Sequence, residues 1–406
     1  MMNDQLADHV ARQLATRRPG HTLPRAFYND ADLYEFDLQA IFYRQWLFAG
    51  LEAELGRAGD YFTLQIGPSP IVVLRDKSGA IRAFHNTCRH RGSRICNAAR
   101  GRSPSLVCPY HQWTYALDGT LVHARDMPAT FDPAQYSLKP VHVACLSGTI
   151  YICLAETPPD FAPHRDAVAP LLAPHRLADT KVAADITITE KGNWKLVMEN
   201  SRECYHCAVR HPELMHTLAE SYDMDSRAMR DYRESCTRKG LKNGPVQGHG
   251  FRATRIPLVP GAVSITPDGK PAVTKLLGDV PDGDIGSLRW FCFPNAFMHV
   301  LGDYAFFFRL LPRGPMETEV NAKFLVHKDA VEGVDYDLQN LTRVWNVTND
   351  QDRDLVEVNQ LGVNSIGYEP GPYNPTAERI VAWFADWYVQ EARQFLQSGS
   401  EGNPRR

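Results

Sequence analysis

Over residues 59–154 the chain alternates short runs of β-branched and aromatic residues with turn-forming pairs. Residues 61–66 and 71–75 read as strands, and Ser78-Gly79, Asp118-Gly119 and Ser147-Gly148 as hairpin turns, so this part is expected to be a small all-β domain. Over residues 156–176 the texture changes to Pro and Ala, with Pro158, Pro159, Pro163, Pro170 and Pro174, which suits a connection between domains. Beyond it the pattern is mixed: a strand over 184–189, a helix starting at Asn193, aromatic strands between 287 and 311, and helices near the C-terminus. Residues 235–284, rich in Gly and Pro with little periodicity, are expected to form a long loop over a site. The fold class is α+β.

One polar residue interrupts an apolar pattern. If residues 336–361 form a continuous helix, Leu338, Leu341, Trp345, Thr348, Asp352 and Val356 make one stripe, because they follow each other at steps of three or four. Asp350 and Asp354 point to nearly the opposite side and read as solvated acids. A carboxylate set among core residues is costly unless it is paired or bound to a metal, so Asp352 is a candidate ligand.

The length of 406 residues favours two or three domains. Lys plus Arg number 44 against 47 Asp plus Glu, a net charge of −3, which argues against gripping nucleic acid or an anionic membrane. No run approaches about eighteen apolar residues, and the first twenty residues lack the apolar core of a secretory signal, so a cytoplasmic location is expected. The nine cysteines are a poor disulfide framework; most are expected to be packed thiols, with a few metal ligands among them.

Two of those cysteines sit beside histidines. Cys88-Arg89-His90 and Cys108-Pro109-Tyr110-His111 each pair a thiolate with an imidazole, and two such loops at neighbouring hairpins can converge on one centre. Both tetrahedral zinc and a [2Fe–2S] cluster with His on one iron fit that donor set. Common zinc spacing, however, pairs Cys with Cys and His with His. Tyr110 is a candidate hydroxyl beside the centre, and Cys96 reads as a packed thiol.

A second constellation follows Asn193: His206 and His211, five apart, with Glu203 three residues before the first. Five residues turn a regular helix about 140° past a full turn, so the rings meet only if the helix ends near His211. Pro212 disfavours helical geometry at the residue before it. With Asp352 the two histidines would complete the facial triad that leaves open positions on a non-haem Fe(II).

The segments Cys88-Arg89-His90-Arg91-Gly92 and Cys108-Pro109-Tyr110-His111-Gln112-Trp113 resemble the cluster loops of Rieske domains. Together with the N-W-K-x₃-E-N segment at Asn193, the acid-x₂-His-x₄-His motif and the late Asp, the chain resembles the α subunit of Rieske non-haem iron oxygenases. The resemblance implies a Rieske domain over 46–158, a catalytic domain over 159–406 whose antiparallel sheet wraps a long helix, and residues 1–45 as a helical segment packing on the latter. It also implies that Cys88 and Cys108 hold the inner cluster iron, His90 and His111 the outer one, and His206, His211 and Asp352 the mononuclear Fe(II). Glu203 matches the acid that carries electrons between subunits, within a homotrimer. That acid is more often Asp; Glu, in Arg202-Glu203-Cys204-Tyr205-His206-Cys207, resembles the subgroup acting on quaternary ammonium compounds such as glycine betaine, stachydrine, choline and carnitine. Cys204 and Cys207 are read as structural thiols, because soft ligands are unexpected on a triad iron.

The expected activity is O₂-dependent N-demethylation of a small cationic substrate with release of formaldehyde. A chain with no Gly-rich βαβ fingerprint would draw on NAD(P)H only through a separate flavin and iron–sulfur reductase. Trp290, Phe306 and Phe308 are candidates for an aromatic box around the cation, and Arg252, Arg255 and Arg289 for a substrate carboxylate. Aromatic-ring hydroxylation and a metal-binding electron carrier are the alternatives.

Overall fold

The computed structural model describes residues 4–219 and 223–401, with side chains through residue 398. The chain divides into a unit of residues 44–159 and a unit made of residues 1–43 with 160–406.

The smaller unit is all β. Strands β1 (Leu47–Leu51), β2 (Asp60–Ile66), β3 (Ser69–Arg75), β4 (Ile81–His85), β5 (Arg100–Arg102), β9 (Pro140–Leu146) and β10 (Thr149–Cys153) form one sheet in the order β1-β10-β9-β4-β3-β2-β5. A second sheet, β6 (Leu106–Val107), β7 (Thr114–Tyr115) and β8 (Leu121–His123), carries one of the two Cys/His loops. Gly79, Gly119 and Gly148 all have positive φ, as tight hairpins demand. At Gly119 a Cβ would also come within 2.4 Å of the Phe84 ring. Val72, Leu74, Phe84, Leu106, Trp113 and Tyr115 make the core, and Cys88 and Cys108 are buried against it.

The larger unit has one antiparallel sheet, β11-β17-β16-β15-β14-β13-β12, comprising β11 (Thr180–Glu190), β12 (Val246–Gly248), β13 (Phe251–Ile256), β14 (Ser287–Cys292), β15 (Ala296–Val300), β16 (Ala305–Gly314) and β17 (Glu317–His327). Its helices are α1 (Asp4–Ala15), α2 (Ala26–Asn29), α3 (Ala31–Asp37), α4 (Ala162–Leu172), α5 (Trp194–Asn200), α6 (Cys207–Arg210), α7 (Pro212–Met215), α8 (Arg227–Arg238), α9 (Leu338–Val363) and α10 (Arg379–Glu401). The long helix α9 lies against the sheet: Trp345 stacks on Phe306 of β16 at 4.1 Å and donates to Tyr304 Oη at 2.9 Å. Leu341, Trp345, Thr348 and Val356 of the stripe are buried.

The N-W-K segment has a structural explanation. Asn193 caps α5 by accepting from Lys195 N, and Trp194 Nε1 and Lys195 Nζ both bond the buried carboxylate of Asp37, which also accepts from Tyr388 Oη. A buried acid is tolerated there because it is paired with a buried cation and hydrogen-bonded.

Two expectations need correction. The helix starting at Asn193 ends at Asn200, and turns rather than helix carry Glu203 to His206. Residues 235–284 are not one loop, since they include the end of α8, the edge strand β12 and its inner neighbour β13. An edge strand as short as β12, with a neighbour on one side only, needs little hydrophobic periodicity to form.

Candidate metal centres and substrate pocket

The two Cys/His loops are hydrogen-bonded alike. Cys88 N donates to Ser93 O at 2.8 Å and Cys88 O accepts from Gly92 N at 3.0 Å; Cys108 N donates to Trp113 O at 2.8 Å and Cys108 O accepts from Gln112 N at 3.0 Å. Each loop closes through a residue of positive φ at the same offset from its cysteine, Gly92 or Gln112. Asn86 ties the first loop down by accepting from Ile95 N and Cys96 N and donating to Cys96 O.

The result gathers two buried thiols at the base and two imidazoles, their centroids 4.6 Å apart, at the surface. Two sulfur donors on the inner side and two nitrogen donors on the outer fit a [2Fe–2S] cluster of mixed ligation. Trp113 stacks on His90 at 4.8 Å. Tyr110 is exposed and stacks on its neighbour His111; the hydroxyl that reaches the sulfur is that of Tyr115, 3.3 Å from Cys88 Sγ and accepting from Arg89 N. Tyr115 lies outside the loop motif, in a strand, and periodicity reads it only as core. Cys96 is a buried thiol whose pKa burial pushes up to about 11.

In the larger unit, His206, His211 and Asp352 come together. His206 Nε2 and His211 Nε2 are 3.0 Å apart, and Asp352 Oδ1 lies 3.3 and 3.0 Å from them. Metal–ligand bonds of about 2.1 Å at right angles separate donor atoms by about 3.0 Å, so the three atoms occupy one face of an octahedron. The other ring nitrogens fix the tautomers. His206 Nδ1 donates to Glu203 Oε1 at 2.5 Å, and His211 Nδ1 donates to Gln351 Oε1 at 2.7 Å. With both Nδ1 atoms engaged by acceptors, both Nε2 atoms offer lone pairs to the common point. Asp352 Oδ1 is buried there with no group near it but the two imidazoles, an arrangement that a bound cation satisfies when both Nε2 atoms carry lone pairs.

Electrostatics agree with that fit. Burial opposes the charged form of His206, but Asp352 and Glu203 outweigh it and raise its pKa to about 9. Burial likewise pushes the Asp352 carboxyl up, yet the two imidazoles hold it below its usual value. The site without metal therefore holds a proton that a cation must displace. Glu203 is further held by Tyr205 N. His211 leaves helical geometry just before Pro212, at φ −121° and ψ 62°, which turns its ring back toward His206.

A cavity opens at the triad. Phe297, Phe306, Phe308 and Trp345 form an aromatic wall, and Arg289 and His299 stand at the same cavity. Trp290 is not part of it. Side chains alternate along a strand, so with Arg289 facing the cavity Trp290 lies on the other face of β14, fully buried and donating to His164 Nε2 at 3.1 Å. Arg255 is buried against His175, and Arg252 bonds Gln247, so of the three arginines only Arg289 reaches the cavity. Trp345, read from the sequence as helix core, is also a cavity residue.

Cys204 and Cys207, expected as thiols, are joined in a disulfide that lines the same cavity, while the other seven cysteines are free. A three-residue spacing inside a turn brings two sulfurs within bonding reach, which a count of scattered cysteines does not reveal.

Among the described residues no helix is long and apolar enough to cross a membrane. Residues 45–143 match the Rieske [2Fe-2S] domain and residues 177–393 the ring hydroxylating alpha subunit catalytic domain. The chain is 46% identical to the glycine betaine monooxygenase oxygenase subunit of Chromohalobacter salexigens over 95% of its own length and 90% of that protein's. The subunit of the same description from Pseudomonas aeruginosa is also 46% identical, over 94% and 91%. Among solved structures, the quaternary ammonium Rieske monooxygenase CntA in complex with L-carnitine superimposes with a TM-score of 0.72 at 24% identity, covering 93% of this chain and 97% of that one. Naphthalene 1,2-dioxygenase from Rhodococcus sp. follows with a TM-score of 0.67 at 19% identity, covering 97% and 99%. With a cluster domain and a mononuclear iron domain both matched, and with electrons reaching them from a separate reductase, the chain belongs to the Rieske non-haem iron oxygenases as an α subunit.

Proposed function

We propose that this oxygenase removes an N-methyl group from a small quaternary ammonium carboxylate of the glycine betaine type. One observation carries the reading: the three donor atoms of the triad open into a cavity whose wall is aromatic and whose polar side holds a cation, Arg289. A trimethylammonium group has no N–H to donate, so aromatic faces are the means of holding it. The paired rings of Trp345 and Phe306 present such a surface beside the triad.

The carboxylate end is supported by excess positive charge. Arg202 is buried over the rings of Phe291 and Phe297, 4.7 and 4.4 Å away, and its Nε and one terminal nitrogen lack partners. Burial, then the nearby Arg289, pushes its pKa well down, so an anion at Arg289 relieves repulsion as well as forming an ion pair. The likeness to glycine betaine monooxygenases over nearly the full chain supports the same substrate class.

His206, His211 and Asp352 would hold the iron, and Cys88, His90, Cys108 and His111 the cluster. Bound Fe(II) supplies the activation of O₂. Around it the chain orients one N-methyl group toward the open coordination side, with the aromatic wall excluding water. Two electrons, two protons and O₂ convert the methyl group to hydroxymethyl with loss of water; the hydroxymethyl ammonium then releases formaldehyde and a proton, leaving the demethylated amine. Glu203 would connect His206 to a cluster histidine of a neighbouring subunit in a trimer, and a flavin and iron–sulfur reductase would supply electrons from NAD(P)H in the cytoplasm. The test is turnover with a surrogate reductase: formaldehyde in one-to-one ratio with consumed glycine betaine or stachydrine is expected, whereas phenol or diol formation from aromatic substrates without formaldehyde would overturn the reading.

A further inference from the structure

The disulfide and the triad share more than a cavity. Cys207 follows His206 directly, and its sulfur lies with the donor atoms of His206 and His211 inside a sphere of contacts no longer than 4.8 Å. In the disulfide that sulfur carries no charge and is a weak donor. Cleaved, it is a soft sulfur donor beside two imidazoles. Two imidazoles and one thiolate make a three-donor set softer than two imidazoles and a carboxylate, and such a set suits zinc. We propose that His206, His211 and Cys207 form a second, latent metal site, which the Cys204–Cys207 disulfide keeps closed and its reduction opens to zinc.

The inference rests on the assignment of His206, His211 and Asp352 to the iron. Reduction is chemically accessible, because Cys204 is only half-buried and lines the cavity although Cys207 is buried. With a phosphine as reductant, the S–S bond breaks, the two sulfurs take up two electrons and two protons, and the phosphine is oxidised to its oxide with oxygen from water. The disulfide thus acts on metal choice by removing one donor. Hard and borderline N₂O sites discriminate poorly by affinity alone, and zinc outranks Fe(II) in the general order of stability, so withholding the thiolate favours iron.

Two single substitutions separate this role from a structural one. Both Cys204→Ser and Cys207→Ser abolish the disulfide, but only the first leaves a thiol at position 207. The holoprotein and both variants, with the cluster intact, are freed of mononuclear metal and offered equimolar Fe(II) and Zn(II) without oxygen, with the wild type both untreated and reduced by phosphine and desalted. Metal per chain is then measured, and Co(II) loading is followed by absorption. Cys204→Ser and reduced wild type should prefer zinc about tenfold or more over untreated wild type and show a sulfur-to-cobalt charge-transfer band. Cys207→Ser should match untreated wild type and lack the band. Equal behaviour of the two variants, or no sulfur band in reduced wild type that binds Co(II), overturns the latent site while leaving the triad standing. Failure of every form to bind Co(II) overturns the triad assignment and the latent site together.

Discussion

Gln351 accepts a hydrogen bond from His211 Nδ1 at 2.7 Å, while its neighbour Asp352 reaches the other nitrogen of the same ring. The amide's orientation is set from behind, because Gln351 Nε2 donates to Glu213 Oε2 at 3.3 Å and so its oxygen faces the imidazole. Gln351→Leu is expected to weaken retention of mononuclear iron about 10- to 100-fold with the cluster spectrum unchanged. Iron per chain after dialysis against a graded chelator checks this; Gln351→Glu, which keeps an acceptor, should retain most of the metal.

Tyr115 Oη lies 3.3 Å from Cys88 Sγ and is directed there by Arg89 N. Hydrogen bonds to cluster sulfur stabilise the reduced, more negative state. Tyr115→Phe should therefore shift the cluster potential to more negative values by tens of millivolts, read by spectroelectrochemical titration, with iron and sulfide content retained.

Arg289 and Trp345 should separate the two ends of the substrate. Arg289→Met is expected to raise KM for a betaine roughly 10- to 100-fold, the loss of a charge-assisted contact, with little change for a quaternary amine lacking a carboxylate. Trp345→Leu should raise KM for both by roughly five- to thirtyfold, the equivalent of about 1–2 kcal/mol of cation–π attraction. Steady-state formaldehyde assays on the two substrate classes distinguish these patterns.

Glu203 bonds His206 Nδ1 and the backbone of Tyr205. As an inter-subunit bridge, Glu203→Gln should leave both centres loaded but slow electron transfer from reduced cluster to iron by at least about tenfold, in the range ascribed to groups that orient a metal ligand. Stopped-flow single-turnover bleaching of the cluster is the measurement; an unchanged rate would remove Glu203 from the path.

Asp303 is buried between β15 and β16, and burial raises its pKa to about 6 despite bonds from Ser264 and the amides of Ala272 and Val273. A carboxyl raised above its unfolded value of 3.8 binds its proton more tightly when folded. Its stabilisation is complete below about pH 4 and lost as pH rises through about 6, a change on the order of 3 kcal/mol. Relative to Asp303→Asn, the wild type should lose roughly that much between pH 4 and 6.5 in chemical denaturation of the holoprotein.

The positions of the candidate metal donors were readable because each broke a local rule. Asp352 interrupts an apolar stripe, His211 precedes a proline, and Cys88 and Cys108 each stand beside an imidazole. The groups that orient those donors were not readable. Gln351 reads as a solvent-facing neighbour of Asp352, and Tyr115 as a core aromatic, since their roles depend on contacts 140 and 27 residues away. Aromatic density pointed to the right face of β16 but to the wrong face of β14. Phe306 and Phe308 line the cavity and Trp290 does not, because a one-residue shift in a strand reverses a side chain.

The span between His211 and Gln351 carries a consequence for how the protein is made. A ribosome completes both histidines long before it reaches the carboxylate, so with these three as the proposed ligands a nascent chain would offer iron only an incomplete grip. The third donor arrives on α9, which is bolted to the start of α5 by Gln360 Oε1 accepting from Asn193 N and by Glu357 accepting from Lys191 N. Metal capture at the proposed triad would thus be open only to a chain whose two distant segments have already found each other.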